Sequence, residues 1–155
     1  MEFLKITALV ISLVGCVILV WKFIHYIRDR KEKRLKDMPV EDVSYNKVMN
    51  EYNEATPLQR KNFMSKYKGI KVKWHVEYYA ITDTFKRGRV VMLMCFSEGR
   101  KYPYINFKTD LKKFPFIGGS CDGDKLIVTG LVDKVKGNMI YLKLIEVEKN
   151  KLFFF

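Results

Sequence analysis

The sequence predicts an N-terminal transmembrane helix followed by a mainly-β domain, a five-stranded Greek-key barrel preceded by one or two short helices. Three observations predict it. Sixteen consecutive residues from Ile6 to Trp21 carry no charge. Beyond Gly69, apolar residues recur at every second position, the period of a half-buried strand. Five strand-like runs then follow within about 80 residues, with a longer link between the third and the fourth.

Composition narrows the classes further. The 155 residues hold 29 Lys and Arg against 17 Asp and Glu, a formal net charge of +12. An apolar share of 48% with 14% aromatic residues excludes a disordered polyelectrolyte, and 9 Gly with 4 Pro excludes a collagen-like or linker-like chain. Three Cys and two His supply neither a disulfide framework nor a four-ligand zinc site at the usual paired spacings, so no metal and no cofactor is expected.

Residues 1–27 read as a single membrane span. A helix from Ile6 to Ile27 would be about 33 Å long at about 1.5 Å per residue, against a hydrocarbon core of about 30 Å. Trp21 and Lys22 suit the membrane interface, where a lysine stem stays in lipid while its ammonium reaches the headgroups. Arg28, Arg30, Lys31, Lys33, Arg34 and Lys36 crowd the residues after the span, whereas Lys5 alone precedes it. That asymmetry puts the C-terminal domain in the cytoplasm, makes residues 28–39 a basic juxtamembrane linker, and makes the lipid bilayer a partner. An alternative rests on Leu13-Val14-Gly15-Cys16, which resembles the lipobox of bacterial lipoproteins. Acylation and cleavage at Cys16 would place the domain outside the cytoplasmic membrane. Against it, Cys16 is followed by Val-Ile-Leu-Val-Trp, where mature lipoproteins begin with polar residues. Cys95 and Cys121 are expected to pair only in an oxidising compartment.

Residues 40–66 read as a helical lead-in. Val40, Val43, Val48 and Tyr52 fall at helical spacing, with Glu41 and Asp42 in the first turn where the dipole favours them. Thr56-Pro57-Leu58-Gln59 joins an N-cap threonine, proline at the first helical position and a capping-box glutamine, and Phe63 and Tyr67 give the second helix a side to bury.

The barrel is assigned to residues 67–149. From Ile70 to Tyr79 the alternation sets Ile70, Val72, Trp74, Val76 and Tyr78 on one face, with Trp74 in the core, and Lys71, Lys73, His75 and Glu77 on the other. Residues 83–88 form a turn. Arg89 to Phe96 is apolar on both faces and so reads as a central strand. Lys101 to Phe107 is a third strand, in which Pro103 marks an edge or a start. Residues 109–117 are a short crossover. Lys125 to Asp133 and Met139 to Val147, separated by the turn Lys136-Gly137-Asn138, complete the five. This arrangement suits the OB fold. Residues 150–155 are an apolar tail in which Phe153, Phe154 and Phe155 pack on the barrel or touch the bilayer.

The passage from Gln59 to Val76, with Gln59-Arg60 in a short helix, then Tyr67-Lys68-Gly69 and Val72-Lys73-Trp74, resembles the opening of membrane-anchored bacterial OB-fold domains of the tRNA-anticodon-like group. Asp122-Gly123-Asp124-Lys125-Leu126-Ile127-Val128-Thr129-Gly130 resembles their fourth strand. The likeness covers residues 57–147 and departs from the pattern at His75, where a small residue often stands. It implies a nucleic-acid-binding-like fold attached to an envelope by a lipid or a helix.

OB folds bind along the second and third strands, between the loops joining strands one to two and four to five. Those loops fall at residues 82–89 and 133–138. The candidate groove is therefore Phe85, Lys86, Arg87, Arg89, Arg100, Lys101, Tyr102 and Tyr104. Cations interleaved with flat aromatics suit a single-stranded nucleic acid, because phosphates need counter-charge and exposed bases gain by stacking. Tyrosines on a half-exposed strand and solvated lysines are also ordinary surface, and His75 reads the same way. Asp122 and Asp124 are turn formers. No Ser, His and Asp set, Gly-rich phosphate loop or paired His gives catalysis a foothold, so no enzyme is expected. The function expected is a single-pass membrane protein of bacterial or phage origin that presents an OB-fold module to a protein partner at the membrane surface. The alternatives are a membrane-tethered single-stranded nucleic-acid binder and an extracytoplasmic lipoprotein.

Overall fold

The computed structural model describes residues 2–97, 99 and 101–150, with residues 2–12, 61, 101 and 102 described by backbone alone. Residues 150–155 were expected to form a tail; of these, 151–155 lie outside the described residues. The chain divides into two compact units, Met1–Met38 and Pro39–Phe155.

The first unit is one helix, α1 (Glu2–Asp37). The expected membrane span is corrected here: among the described residues no helix is long and apolar enough to cross a membrane. From Leu13 onward the uncharged run stops at Lys22, and Arg28, Asp29 and Arg30 follow closely. Each such charge is costly in hydrocarbon. Residues 6–12 of the expected span lie outside the described side chains. The expected linker over residues 28–39 is also corrected, because the helix continues unbroken to Asp37. Arg34 and Lys36 sit in its last turn, where positive charge suits the C-terminal end of the dipole. Trp21, Lys22, Arg28, Arg30, Lys31, Lys33 and Arg34 are all exposed.

The second unit opens with an extended segment rather than a helix at Val40. Its Glu41 N–H donates to the Lys71 carbonyl at 2.8 Å. Helix α2 (Tyr45–Glu54) starts only at Ser44, whose hydroxyl accepts the Lys47 N–H at 3.2 Å. Helix α3 (Pro57–Tyr67) follows, with the Thr56 N–H donating to Gln59 Oε1 at 2.9 Å. Val48, Met49, Phe63 and Tyr67 bury the inner sides of this pair.

Five strands follow: β1 (Lys71–Phe85), β2 (Val90–Ser97), β3 (Lys101–Asp110), β4 (Lys125–Lys136) and β5 (Met139–Lys149). They close into a barrel in the order β1-β2-β3-β5-β4. Every neighbouring pair is antiparallel except β3 with β5. The result is a closed five-stranded barrel of mixed strand direction. A 3-10 turn, Pro115–Gly119, links β3 to β4 and buries Ile117.

β1 makes closure possible. Its first half, Lys71 to Glu77, pairs with β4, and its second half, Val76 to Phe85, pairs with β2. Irregularities between Tyr78 and Ala80 and between Ile81 and Asp83 bend the strand from one partner to the next. The turn expected over residues 83–88 is thereby shortened, since Asp83 and Thr84 still pair with Met92 and Val91.

Val72, Trp74, Val76 and Tyr78 point into the core with Leu93, Phe107, Leu126 and Ile140. Trp74 is buried there, and its Nε1–H donates to the Val43 carbonyl at 2.6 Å, tying the extended segment to β1. β2 was expected to be covered on both faces. It is covered on one: Val91, Leu93 and Cys95 are buried, while Met92, Met94 and Phe96 are half-buried on the outside. A barrel strand has a single inward face, so the second apolar set is left on the surface.

Candidate nucleic-acid interface

The outer face of β1, β2, β3 and β5 forms a grid whose rows are fixed by strand register. Phe96 pairs with Glu77 and Tyr104, and Tyr104 with Met139. Next come Ala80, Met94, Asn106 and Tyr141, then Asp83, Met92 and Lys108, then Phe85, Val90 and Asp110. Alternation puts these side chains outside because Leu93, Cys95, Ile105 and Phe107 between them face the core.

Aromatic rings cross one end of the grid. The Tyr79 and Phe96 centroids are 4.8 Å apart and those of Phe96 and Tyr104 are 5.1 Å apart. Tyr79 is exposed, while Phe96 and Tyr104 are half-buried. Three neighbouring rings in offset contact make a platform on which a planar group can stack.

Cations lie further along the same face, away from that platform. Lys108 Nζ lies 4.0 Å from the Phe85 ring centroid, and Lys134 Nζ lies 4.5 Å from that of Tyr141. Lys143 pairs with Asp133 at 3.1 Å. Arg89 holds Asp110 at 2.9 Å, and this contact, with the Lys112 N–H, keeps the Asp110 carboxyl below its ordinary pKa. Past the end of the β3–β5 ladder a groove of about 360 Å³ opens, lined by Met92, Asn106, Lys108, Lys134, Tyr141 and Lys143 among others.

The residues expected in the groove are partly brought together. Phe85 ends β1 under Lys108, Arg89 lies at the start of β2, and Tyr104 is in the aromatic row. Lys86 and Arg87 are exposed at the tip of the β1–β2 turn, with φ of 50° and 56°. The left-handed conformation at both, followed by Gly88 at 78°, turns the chain within a few residues. Arg100 lies outside the described residues, and Lys101 and Tyr102 are described only as backbone of β3. Tyr79, Phe96, Asn106, Lys108, Lys134 and Tyr141 were not anticipated. Their signal was the outward set of each alternating strand, which becomes a surface only when β5 is known to lie beside β3.

Among the described residues no group of three or more His, Cys, Asp or Glu is placed to hold a metal ion. Cys16, Cys95 and Cys121 are free thiols. Burial pushes the Cys95 thiol up to about 12.

No protein-family profile matches the sequence, and no curated protein matches it. Among solved structures the chain is similar to a candidate nucleic acid-binding lipoprotein from Klebsiella pneumoniae subsp. pneumoniae. That likeness has a TM-score of 0.52 at 16% identity and covers 72% of this chain and 92% of that one. It is also similar to OBody AM1L10 bound to hen egg-white lysozyme, with a TM-score of 0.43, 15% identity and coverage of 56% and 84%. A candidate aspartyl-tRNA synthetase from Leishmania major Friedlin gives a TM-score of 0.43 at 12% identity, covering 72% of this chain and 23% of that one. The first likeness speaks for the fold alone.

Proposed function

We propose that residues 39–150 are a non-catalytic binding module of the OB type, related to the tRNA-anticodon-like group, that takes single-stranded nucleic acid across the outer face of β1, β2, β3 and β5. The observation that carries this reading is a face with stacked rings, Tyr79, Phe96 and Tyr104, at one end and a groove lined by Lys108, Lys134 and Lys143 further along the strands. Bases stack on aromatic rings regardless of sequence, and lysines neutralise the phosphates between them. The name of the Klebsiella pneumoniae neighbour agrees with that choice of ligand. A protein partner would require fewer cations and a drier centre.

Fluorescence anisotropy of a labelled unstructured oligonucleotide, titrated with the full chain at increasing salt, tests the proposal. Binding that weakens linearly in log–log form with salt is expected. No binding at low salt would remove the reading.

A second element of the proposal concerns location. Leu13-Val14-Gly15-Cys16 has a lipobox pattern, the Cys16 side chain is exposed, and the same neighbour is named a lipoprotein. Processing at Cys16 would place the module outside the cytoplasmic membrane. Mass spectrometry of the chain expressed in a bacterium should then find residues 1–15 removed and Cys16 acylated; an intact, unmodified amino terminus would refute this.

A further inference from the structure

We infer that Asn106 reads a nucleobase, in a nucleotide-sized subsite between β3 and β5; the inference rests on the nucleic-acid reading above. The parallel ladder joining these strands ends at Phe107 and Leu142. Beyond it the strands part, and the groove of about 360 Å³ lies between them. That is the lower end of the range for clefts that hold small ligands, about 300 to 1,000 Å³. One nucleoside fits such a space better than a helix or a folded partner does.

Asn106 lines this groove with only 4% of its surface exposed. Among the described residues its side-chain amide has no hydrogen-bond partner. Its amide is not among the fully buried unpaired groups, so it meets water in the groove, and a ligand that reproduces those hydrogen bonds can take the water's place. Its cross-strand neighbours are Met94, a thioether, and Tyr141, whose hydroxyl donates to Met139 Sδ at 3.5 Å.

A primary amide carries a donor and an acceptor side by side, and the Watson–Crick edge of every base, free in a single strand, presents a donor next to an acceptor. The surrounding groups supply the rest of a nucleotide's needs. Tyr141 offers a ring for the base, while Lys108 and Lys134 stand at the rim for phosphate. Lys143 is shared with Asp133, which lowers the positive charge at that end of the groove.

The test titrates the full chain and its variants against labelled homopolymeric oligonucleotides of A, C and T. The wild type is expected to rank them with about a tenfold spread or more, the discrimination a bidentate base contact supplies. Asn106→Leu should compress the ranking to about twofold while leaving the salt slope unchanged. Asn106→Asp, close in shape, should reorder it toward cytosine, whose amino group donates to a carboxylate. Lys108→Ala should weaken all three equally and reduce the slope by about 0.7. Thermal melting checks that each variant folds. A wild type without preference, or variants that keep the wild-type ranking, would overturn the inference and leave the nucleic-acid reading standing. Failure of the wild type to bind any homopolymer would overturn that reading and the inference with it.

Discussion

Arg89 grips Asp110 from the β1–β2 turn: its Nε lies 3.1 and 3.0 Å from the two carboxylate oxygens, and one terminal nitrogen lies 2.9 Å from the second. The pair is exposed, so water and salt screen its contribution to folding. Its larger consequence is for binding, because a guanidinium engaged by a carboxylate is less available to a phosphate. Asp110→Asn is therefore expected to strengthen oligonucleotide binding and to steepen the salt dependence by up to about 0.7 in slope, the share of one added phosphate contact on a single strand. Anisotropy titrations between about 50 and 200 mM salt measure it. An unchanged slope would mean that Arg89 lies off the path of the ligand.

The same carboxylate gives the protein an acid limit. Asp110 is held below its ordinary pKa by Arg89, and Glu51 by the hydrogen bond from Lys66 at 2.7 Å. A depressed carboxylate contributes stability that is complete above its unfolded pKa, near 4, and is lost as pH falls through the lower folded value. Lys66 is raised by Glu51, so its share is complete below the unfolded lysine pKa and disappears as pH rises through the higher folded one. Thermal midpoints should hold between those limits and fall below about pH 4, and the double variant Asp110→Asn, Glu51→Gln should flatten the acid limb. An acid limb as steep as that of the wild type would assign the loss to other carboxylates.

Phe96 sits between Tyr79 and Tyr104. If bases stack on this row, Phe96→Ala removes the central ring and about 1 to 3 kcal/mol of stacking, which lowers affinity by roughly five- to 150-fold. The salt slope should not change, since no cation is lost. Titrations at one salt concentration and then across several separate the two effects. Full affinity in the variant would exclude the aromatic row from the interface.

The core of β1 was legible because Val72, Trp74, Val76 and Tyr78 are the apolar members of an alternation, which fails only at its start, where Lys71 of the other face is buried as well. Its length was hidden: Asp83 and Thr84 have turn composition but stay paired with β2. Phe85, Arg89 and Tyr104 could be placed on or beside the outer face of the barrel from loop and strand positions. Met92, Met94 and Phe96 were assigned to the interior, since an apolar outer face and a doubly covered strand have the same composition. Asn106 and Tyr141 meet only through the parallel β3–β5 pairing, a contact between strands distant in sequence that no local pattern encodes. In α1, Lys22 was assigned to the membrane interface and Arg28 to a basic flank beyond the span; in the described part of the helix they leave no stretch long and apolar enough to cross a membrane.

The three thiols differ in environment, and alkylation should separate them. Cys95 is buried in the barrel and its pKa is raised to about 12, so it has almost no thiolate near neutrality. Cys121 is exposed. Brief treatment of the folded chain with iodoacetamide at about pH 8 should label Cys121 and spare Cys95, with denaturant making Cys95 reactive. Peptide mass spectrometry reads the result. Rapid labelling of Cys95 in the native protein would mean that the barrel opens on the timescale of the reaction.

Gly130 marks the tightest approach between β4 and β5. A Cβ at this position would lie 2.9 Å from the Lys143 carbonyl oxygen and 3.3 Å from the Leu142 Cβ. The register shifts between Thr129 and Gly130, so the strands are already bent here, and the β4–β5 ladder continues both before and after this point, at Thr129 with Glu146 and Leu131 with Lys143. Neither strand can withdraw without loosening the barrel. Gly130→Ala should therefore destabilise by about 1 to 3 kcal/mol, as overpacking does. The lower entropy of an unfolded chain with alanine offsets only about 0.4 to 1 kcal/mol of that. Urea unfolding should show a lower midpoint with an unchanged m-value. A midpoint equal to or above that of the wild type would show that β4 and β5 separate at this point at little cost, and that closure depends on the β1–β4 pairing instead.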